Sequence, residues 1–309
     1  MSSPRPRPQT SFPAGPRVRV ESVGVLPLHP GPPASSLELS CRAAERSLVG
    51  SSHDRNAIDL LIYCGVYRTD FVVEPAIAAM IAGRLGINDS LDLFERPRTL
   101  AFDVINSSVG LLNACFLATQ LIQCRKSRAA MVLASEVENA SLFCGGQRGV
   151  TETASAMILD QNPDGVGFGR FLFRSFTDHI DALSCSTSSQ AGAASLHVVK
   201  HPRLEDYYVA CAVRVIPELL ALEGLDLPDI AVFLPPHLSP GSIDKLSAAL
   251  KVDRSRFVHM NGAGQDLFTS SVPYAFDAVR CRGLARPGDL GLIITAGAGI
   301  EVGCAIYHF

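Results

Sequence analysis

Two adjacent hydroxyls, Ser107 and Ser108, sit where a short strand gives way to an apolar helix, in residues 100–125 (LAFDVINSSVGLLNACFLATQLIQCR). A side chain at a helix N-terminus meets free backbone N–H groups and the positive end of the helix dipole. Both favour a developing negative charge. Several enzyme classes present a nucleophile in this way, although a serine hydroxyl is weak and needs a general base. Other candidate groups are scattered along the chain. His237 follows Pro235-Pro236 and, taken alone, reads as a loop histidine; Asp266 precedes a helical pattern and reads as its cap. Cys115, further along the helix that follows Ser108, reads as core. His197 and His201 lie in a polar stretch and read as solvated, with an accessory-base role as the alternative. Glu136, Glu138 and Glu152 flank a Gly-rich loop and read as interface or loop anchors, not as an acid pair.

Composition bounds the chemistry. The chain has 309 residues, 47% hydrophobic and 18% charged, enough for one large or two medium domains with much of the chain buried. A net charge of −3 gives no electrostatic footprint for nucleic acid. The nine cysteines show no CxxC pair and no metal-ligand spacing, which fits a reduced, cytoplasmic protein without a bound metal. Residues 1–16 are rich in Pro and Arg with no apolar leader, so a disordered, solvated tail is expected there. The uncharged run after Asp103 has the length of a membrane span. Asn106, Ser107, Ser108, Asn113, Thr119 and Gln123 interrupt it, so it reads as a helix buried on all sides in a large core.

The elements that must position these groups follow from periodicity. Strands are expected at 17–26, 58–65, 99–104, 129–136 and 154–160, with helices at 37–49, from Glu74-Pro75 to Leu85, and after the serine pair. A Gly-rich loop spans 137–153, long enough to be functional. The pattern then restarts: strands at 167–177, 230–234, 257–260, 290–295 and 300–309, and helices at 204–222, 239–250 and 266–280. Strand–helix alternation in two successive halves, 17–165 and 166–309, implies α/β architecture with parallel sheets covered by helices.

The segment Ala101-Phe102-Asp103-Val104 followed by Gly110 resembles the active-site segment of the ketoacyl synthase III-like (KAS III-like) branch of the thiolase superfamily. That segment carries an acyl-accepting Cys two residues before the Gly, and Ser108 occupies its position, with Ser107 the rival if the turn is shifted by one. Phe233-Leu234-Pro235-Pro236-His237 resembles the family's catalytic-His segment, with Leu238-Ser239-Pro240 in place of Gln-Ala-Asn. Ser271-Val272-Pro273 through Arg280 matches a family helix, and counting back from it puts Asp266 at the catalytic Asn position. Gly297-Ala298-Gly299 is similar to the family's triple-Gly loop. The resemblance covers most of the chain and is strongest over 58–136 and 229–309.

The resemblance implies a thiolase-like fold, two duplicated βαβαβ halves forming a five-layer α-β-α-β-α sandwich. It implies an acyltransferase whose Cys-His-Asn set has become Ser108, His237 and Asp266. The backbone N–H groups of Ser108 and Ala298 would form its oxyanion hole, and Asn261 would be an accessory amide. A carboxylate at 266 suits a Ser-His base system but repels an enolate, which favours acyl transfer to a hydroxyl or amine over decarboxylative condensation. The implied substrate is an acyl thioester of coenzyme A or of an acyl carrier protein, with no resident cofactor, in fatty-acid-like, polyketide or other natural-product biosynthesis. The insert between the first strand and first helix is short and the chain has no Trp, so coenzyme A recognition by the family's usual route is not expected. The implied assembly is a homodimer or a heterodimer with a KAS III-like homologue, without nucleic acid or membrane. The competing expectation is a catalytically degenerate partner subunit of a heteromeric ketosynthase.

Overall fold

The computed structural model describes residues 16–28, 34–88, 99–138, 151–190, 193–239, 241–260 and 266–309. The first half comprises β1 (Arg17–Val25), α1 (Ser36–Val49), β2 (Leu60–Tyr63), α2 (Ile77–Leu85), β3 (Leu100–Asp103), α3 (Gly110–Gln123), β4 (Ala129–Glu136) and β5 (Thr153–Asn162). The second comprises β6 (Gly167–Ser175), β7 (Leu183–Gln190), β8 (Ala193–Lys200), α4 (Leu204–Glu223), β9 (Ile230–Leu234), α5 (Ser242–Leu250), α6 (Ser271–Arg282), β10 (Leu290–Gly297) and β11 (Glu301–His308).

Two sheets carry the architecture, in the orders β1-β5-β4-β2-β3 and β6-β11-β10-β9. They are mixed rather than wholly parallel. β2 runs parallel to β3 and β4, and β9 parallel to β10, while β5, β11 and their outer neighbours are antiparallel. α3 and α6 lie between the sheets in one core, with Leu111, Cys115, Val272 and Ala275 against Ile62, Val132, Leu234 and Ile293. α1 and α2 cover the outer face of the first sheet; α4 and α5 cover that of the second. The result is the five-layer sandwich. Each large aliphatic side chain so buried contributes about 1.5–3 kcal/mol over its exposed state.

Several local expectations are corrected. α2 does not open at Pro75: it begins at Ile77, and the Asp103 carboxylate caps it from across the chain. That carboxylate accepts from Ile77 N at 3.0 Å and Ala78 N at 2.9 Å, and it pairs with the buried Arg68 at 2.7 Å. α3 is not enclosed on all sides. Phe116 and Leu117 are 36% and 37% exposed, and the Phe116 ring meets Phe171 and Phe173 of β6 at the margin of the inter-sheet core. The helix expected from Asp266 begins instead with a 3-10 turn, Phe268–Ser270, that leads into α6. Residues 257–260 form only a single bridge, Phe257 to Phe233. An unforeseen two-stranded hairpin, β7–β8, precedes α4.

Candidate active site

The serine turn is tight and pinned to the second sheet. Gly110 N bonds Asn106 O at 3.0 Å and Ser107 O at 3.2 Å, closing the turn before α3. A Cβ at Gly110 would stand 3.3 Å from Val104 O, so glycine lets the strand end and helix start approach. Ser108 is buried and its Oγ donates to Ala296 O near the end of β10. Ser107 has φ 48°, a left-handed conformation uncommon for a residue with a Cβ. Its Oγ is buried and has no hydrogen-bond partner among the described residues. A Cβ at Gly297 would lie 2.9 Å from Ser107 Cβ and 3.1 Å from its Oγ, so glycine there allows the turn to reach the β10–β11 connection.

That connection carries Ala298. Its φ is not in the left-handed region; Gly299 takes the positive value, 111°. The Ala side chain at 298 is therefore carried without backbone strain.

His237 is completely buried. Its N–H donates to Ser271 Oγ at 3.2 Å, and its carbonyl accepts from Leu267 N at 3.0 Å. The second bond ties the Pro-Pro-His turn to the segment carrying Asp266. Asp266 Oδ1 accepts from Phe268 N at 2.8 Å, so the residue caps its own local turn rather than α6. Pro236, Leu238 and Ala296 line one narrow cleft, which brings the residues beside His237 to the carbonyl bonded by Ser108. The three motifs thus converge at the C-terminal ends of β9 and β10. Their side chains do not form a bonded triad: the Ser108 hydroxyl and the Asp266 carboxylate each bond elsewhere.

Asp266 lines a cavity of about 230 Å³ with Tyr67, Phe268, Tyr208, Leu238, Lys200 and Glu205. Neither Ser108 nor His237 is among its lining residues. Burial pushes the Asp266 carboxyl up to about 7 from an ordinary 3.8, against the opposing hydrogen bond from Phe268 and the charge of Lys200. Glu136 and Glu205 add to the rise. Burial likewise pushes the Cys115 thiol far up, which leaves it a core residue.

Of the other sequence candidates, His197 is exposed on the hairpin, while His201 reaches the cavity rim and accepts from Arg203 N at 3.0 Å. Glu136 and Glu152 act as anchors: Glu136 accepts from Val66 N and Tyr67 N, and Glu152 from Glu138 N. Asn261 and most of the Gly-rich loop lie outside the described residues. Sequence reasoning missed His259, whose ring centroid is 5.9 Å from that of His237. It also missed Tyr67, Lys200 and Glu205, which come from separate elements and share no motif. Among the described residues, no group of three His, Cys, Asp or Glu side chains is arranged to hold a metal. No helix among them is long and apolar enough to cross a membrane.

Residues 220–309, which include His237, Asp266 and Ala298, match the family model described as the C terminal of 3-oxoacyl-[acyl-carrier-protein] synthase III. The chain is 23% identical over 276 residues to the beta-ketoacyl-[acyl-carrier-protein] synthase III of Rickettsia bellii (strain OSU 85-389), across 88% of this chain and 83% of that protein. It is 23% identical over 292 residues to the corresponding protein of Rickettsia prowazekii (strain Madrid E), across 93% and 88%. Solved structures agree on the fold. The synthase III of Aquifex aeolicus VF5 superposes with TM-score 0.79 at 15% identity, across 96% of this chain and all of that one. A Cys-to-Ser variant of Xanthomonas campestris OleA with bound lauric acid and lauroyl-CoA gives 0.78 at 16%, across 95% and 99%. The chain thus shares the thiolase-like fold of the KAS III structures, and its residues 220–309 carry the segment that the KAS III C-terminal family model matches.

Proposed function

We propose that this chain is an acyl-transferring enzyme that loads an acyl group from a thioester of coenzyme A or an acyl carrier protein onto Ser108 and passes it to a second substrate. The observation that carries this reading is the pinning of the helix-start serine turn beside the Pro-Pro-His turn. In the first step His237 takes the Ser108 proton as the oxygen attacks the thioester carbonyl. The Ser108 and Ala298 N–H groups stabilise the oxyanion. The carbon–sulfur bond breaks, and the thiolate leaves with the proton from the imidazolium. The second substrate reverses these roles to collect the acyl group. Natural-product biosynthesis is the setting we assign to this chemistry.

Ser107 is the second reading for the nucleophile, favoured by its left-handed backbone and unpartnered hydroxyl. Release of free thiol from acyl-CoA and acyl-carrier-protein thioesters separates the two. Loss in Ser108→Ala with retention in Ser107→Ala supports the main reading, and the reverse result moves the nucleophile by one residue. No thiol release by the wild-type protein overturns the enzyme reading and leaves a partner subunit.

The assembly we assign is a dimer formed along the edge of β3, where Leu100 and the nearby Ile105 are exposed. Sedimentation velocity tests it, and a monomer at micromolar concentration would refute it.

A further inference from the structure

Asn106 is the residue on which the serine turn closes, and its side chain is held from two other elements. Its carbonyl accepts from Gly110 N at 3.0 Å. Its Nδ2 donates to Asn113 Oδ1 at 2.8 Å, in the opening turn of α3. It also donates to Glu301 Oε2 at 3.2 Å, on the first residue of β11 and 195 residues away in the chain. A side-chain amide nitrogen has two protons, and both are engaged. All three side chains are partly buried.

The register of the second sheet explains why Glu301 reaches the turn. Glu301 stands directly across the β10–β11 ladder from Gly297. Directly opposed residues of an antiparallel pair project from one face of the sheet. A Cβ at Gly297 would point at Ser107, 2.9 Å from its Cβ. The face that meets the serine turn is therefore the face from which Glu301 projects. Glycine at 297 admits the turn, and the carboxylate at 301 bonds it. A carboxylate only accepts, so it also fixes which way the Asn106 amide faces.

The backbone between these contacts is under constraint. Ser107 is left-handed, with φ 48°. For a residue with a Cβ this conformation is costly and persists only where the surroundings over-determine it. Asn106 supplies contacts on one side of Ser107, and the Ser108 hydroxyl bond to Ala296 O supplies one on the other. Holding both ends fixes the peptide plane from Ser107 to Ser108, and with it the direction of the Ser108 N–H. Glu301 follows Ala298 by three residues, so the same carboxylate anchors the segment that carries the Ala298 N–H.

We propose that Asn106 and Glu301 are positioning residues whose side-chain bond clamps the serine turn to the β10–β11 connection and sets the spacing between the Ser108 and Ala298 N–H groups. This rests on the acyl-transfer reading of the site, in which those two groups stabilise the oxyanion. Donors from opposite halves of the chain act on one oxygen only while the halves are held in register. A displacement of about 1 Å costs on the order of 10²-fold in rate. The clamp touches no reacting atom and no part of the thioester beyond it, so its loss falls on the acylation rate rather than on thioester binding.

The test is the pre-steady-state burst of thiol release by the full-length protein from a panel of straight-chain acyl-CoA and acyl-carrier-protein thioesters. Glu301→Ala and Asn106→Ala are each expected to slow acylation by about 10²-fold with KM little changed. The double variant is expected to lose no more than either alone, because both remove one bond. Glu301→Gln keeps an acceptor oxygen for the Asn106 amide and recovers most of the rate. Infrared spectra of the acyl enzyme with an isotope-labelled carbonyl give an independent readout, since donors at that oxygen lower the ester stretch. The band is expected to move to higher frequency in both Ala variants and to stay in place in Glu301→Gln. Wild-type acylation in both Ala variants, or a loss borne by KM alone, overturns the clamp and leaves acyl transfer standing. No thiol release by the wild-type protein overturns the acyl-transfer reading and the clamp's role with it. Asn106→Asp keeps the side-chain volume and sets a carboxylate against Glu301; it carries the same prediction where an Ala variant does not fold, and full activity in it overturns the proposal.

Discussion

Ser107 and Ser108 are neighbours in sequence with opposite environments. One hydroxyl is bonded to a strand carbonyl; the other is buried on a left-handed backbone with no hydrogen-bond partner among the described residues. Ser108→Ala therefore removes a single neutral hydrogen bond, worth about 0.5–1.5 kcal/mol, and chemical denaturation should show a loss of that size. The same variant is expected to lose thiol release by a factor of about 10³ or more, as for removal of a nucleophile. Asp266 gives a pH-dependent prediction. Its folded-state value, about 7, lies above the ordinary 3.8, so the folded protein binds more protons between these limits. Its contribution to stability is complete below about pH 4 and is lost as pH rises through 7. Asp266→Asn, which has no charge to bury, should raise Tm relative to wild type at pH 8 and not at pH 4, as scanning calorimetry would register. The types and positions of these residues were legible in the sequence. Their bonding was not, because a hydroxyl's partner is set by a strand far along the chain.

The site's geometry depends on where elements end. Gly297→Ala would drive a Cβ against Ser107, forcing the β10–β11 turn away from the serine turn. Overpacking of this kind costs about 1–3 kcal/mol, so the variant should remain folded by circular dichroism while its acyl loading fails. Asp103→Ala removes the remote cap of α2 and leaves Arg68 buried without its carboxylate. Breaking a buried pair costs about 3–5 kcal/mol, and thermal melting should show a correspondingly severe loss. β4 and β9 could be read to the residue because their unbroken apolar runs match strands buried on both faces. The β7–β8 hairpin escaped because its Ser-, Thr- and Ala-rich sequence carries no hydrophobic alternation. The start of α2 was misplaced because its cap comes from Asp103, which local sequence does not reveal.

At the scale of the whole molecule, two halves present their central strands' C-terminal ends to a common region, and each half would supply part of the proposed chemistry. The serine turn comes from the first half; the His237 and Asp266 turns come from the second. The layer order came with the family resemblance, since the alternation of strands and helices by itself implied only parallel sheets covered by helices. The cavity did not, since Tyr67, Lys200 and Glu205 meet only after the hairpin and α4 close over the loop that follows β2. The exposed apolar side chains at β3 belong to this scale too, and Ile105→Glu should shift sedimentation toward the monomer while leaving the fold intact by circular dichroism. The account's central claim concerns one oxygen atom. Intact-protein mass spectrometry after brief exposure to an acyl thioester, followed by peptide mapping, reads that atom directly. The account predicts one acyl adduct per chain, mapped to Ser108 and missing from Ser108→Ala. An adduct that persists unchanged in Ser108→Ala, or no adduct in the wild-type protein, would contradict it.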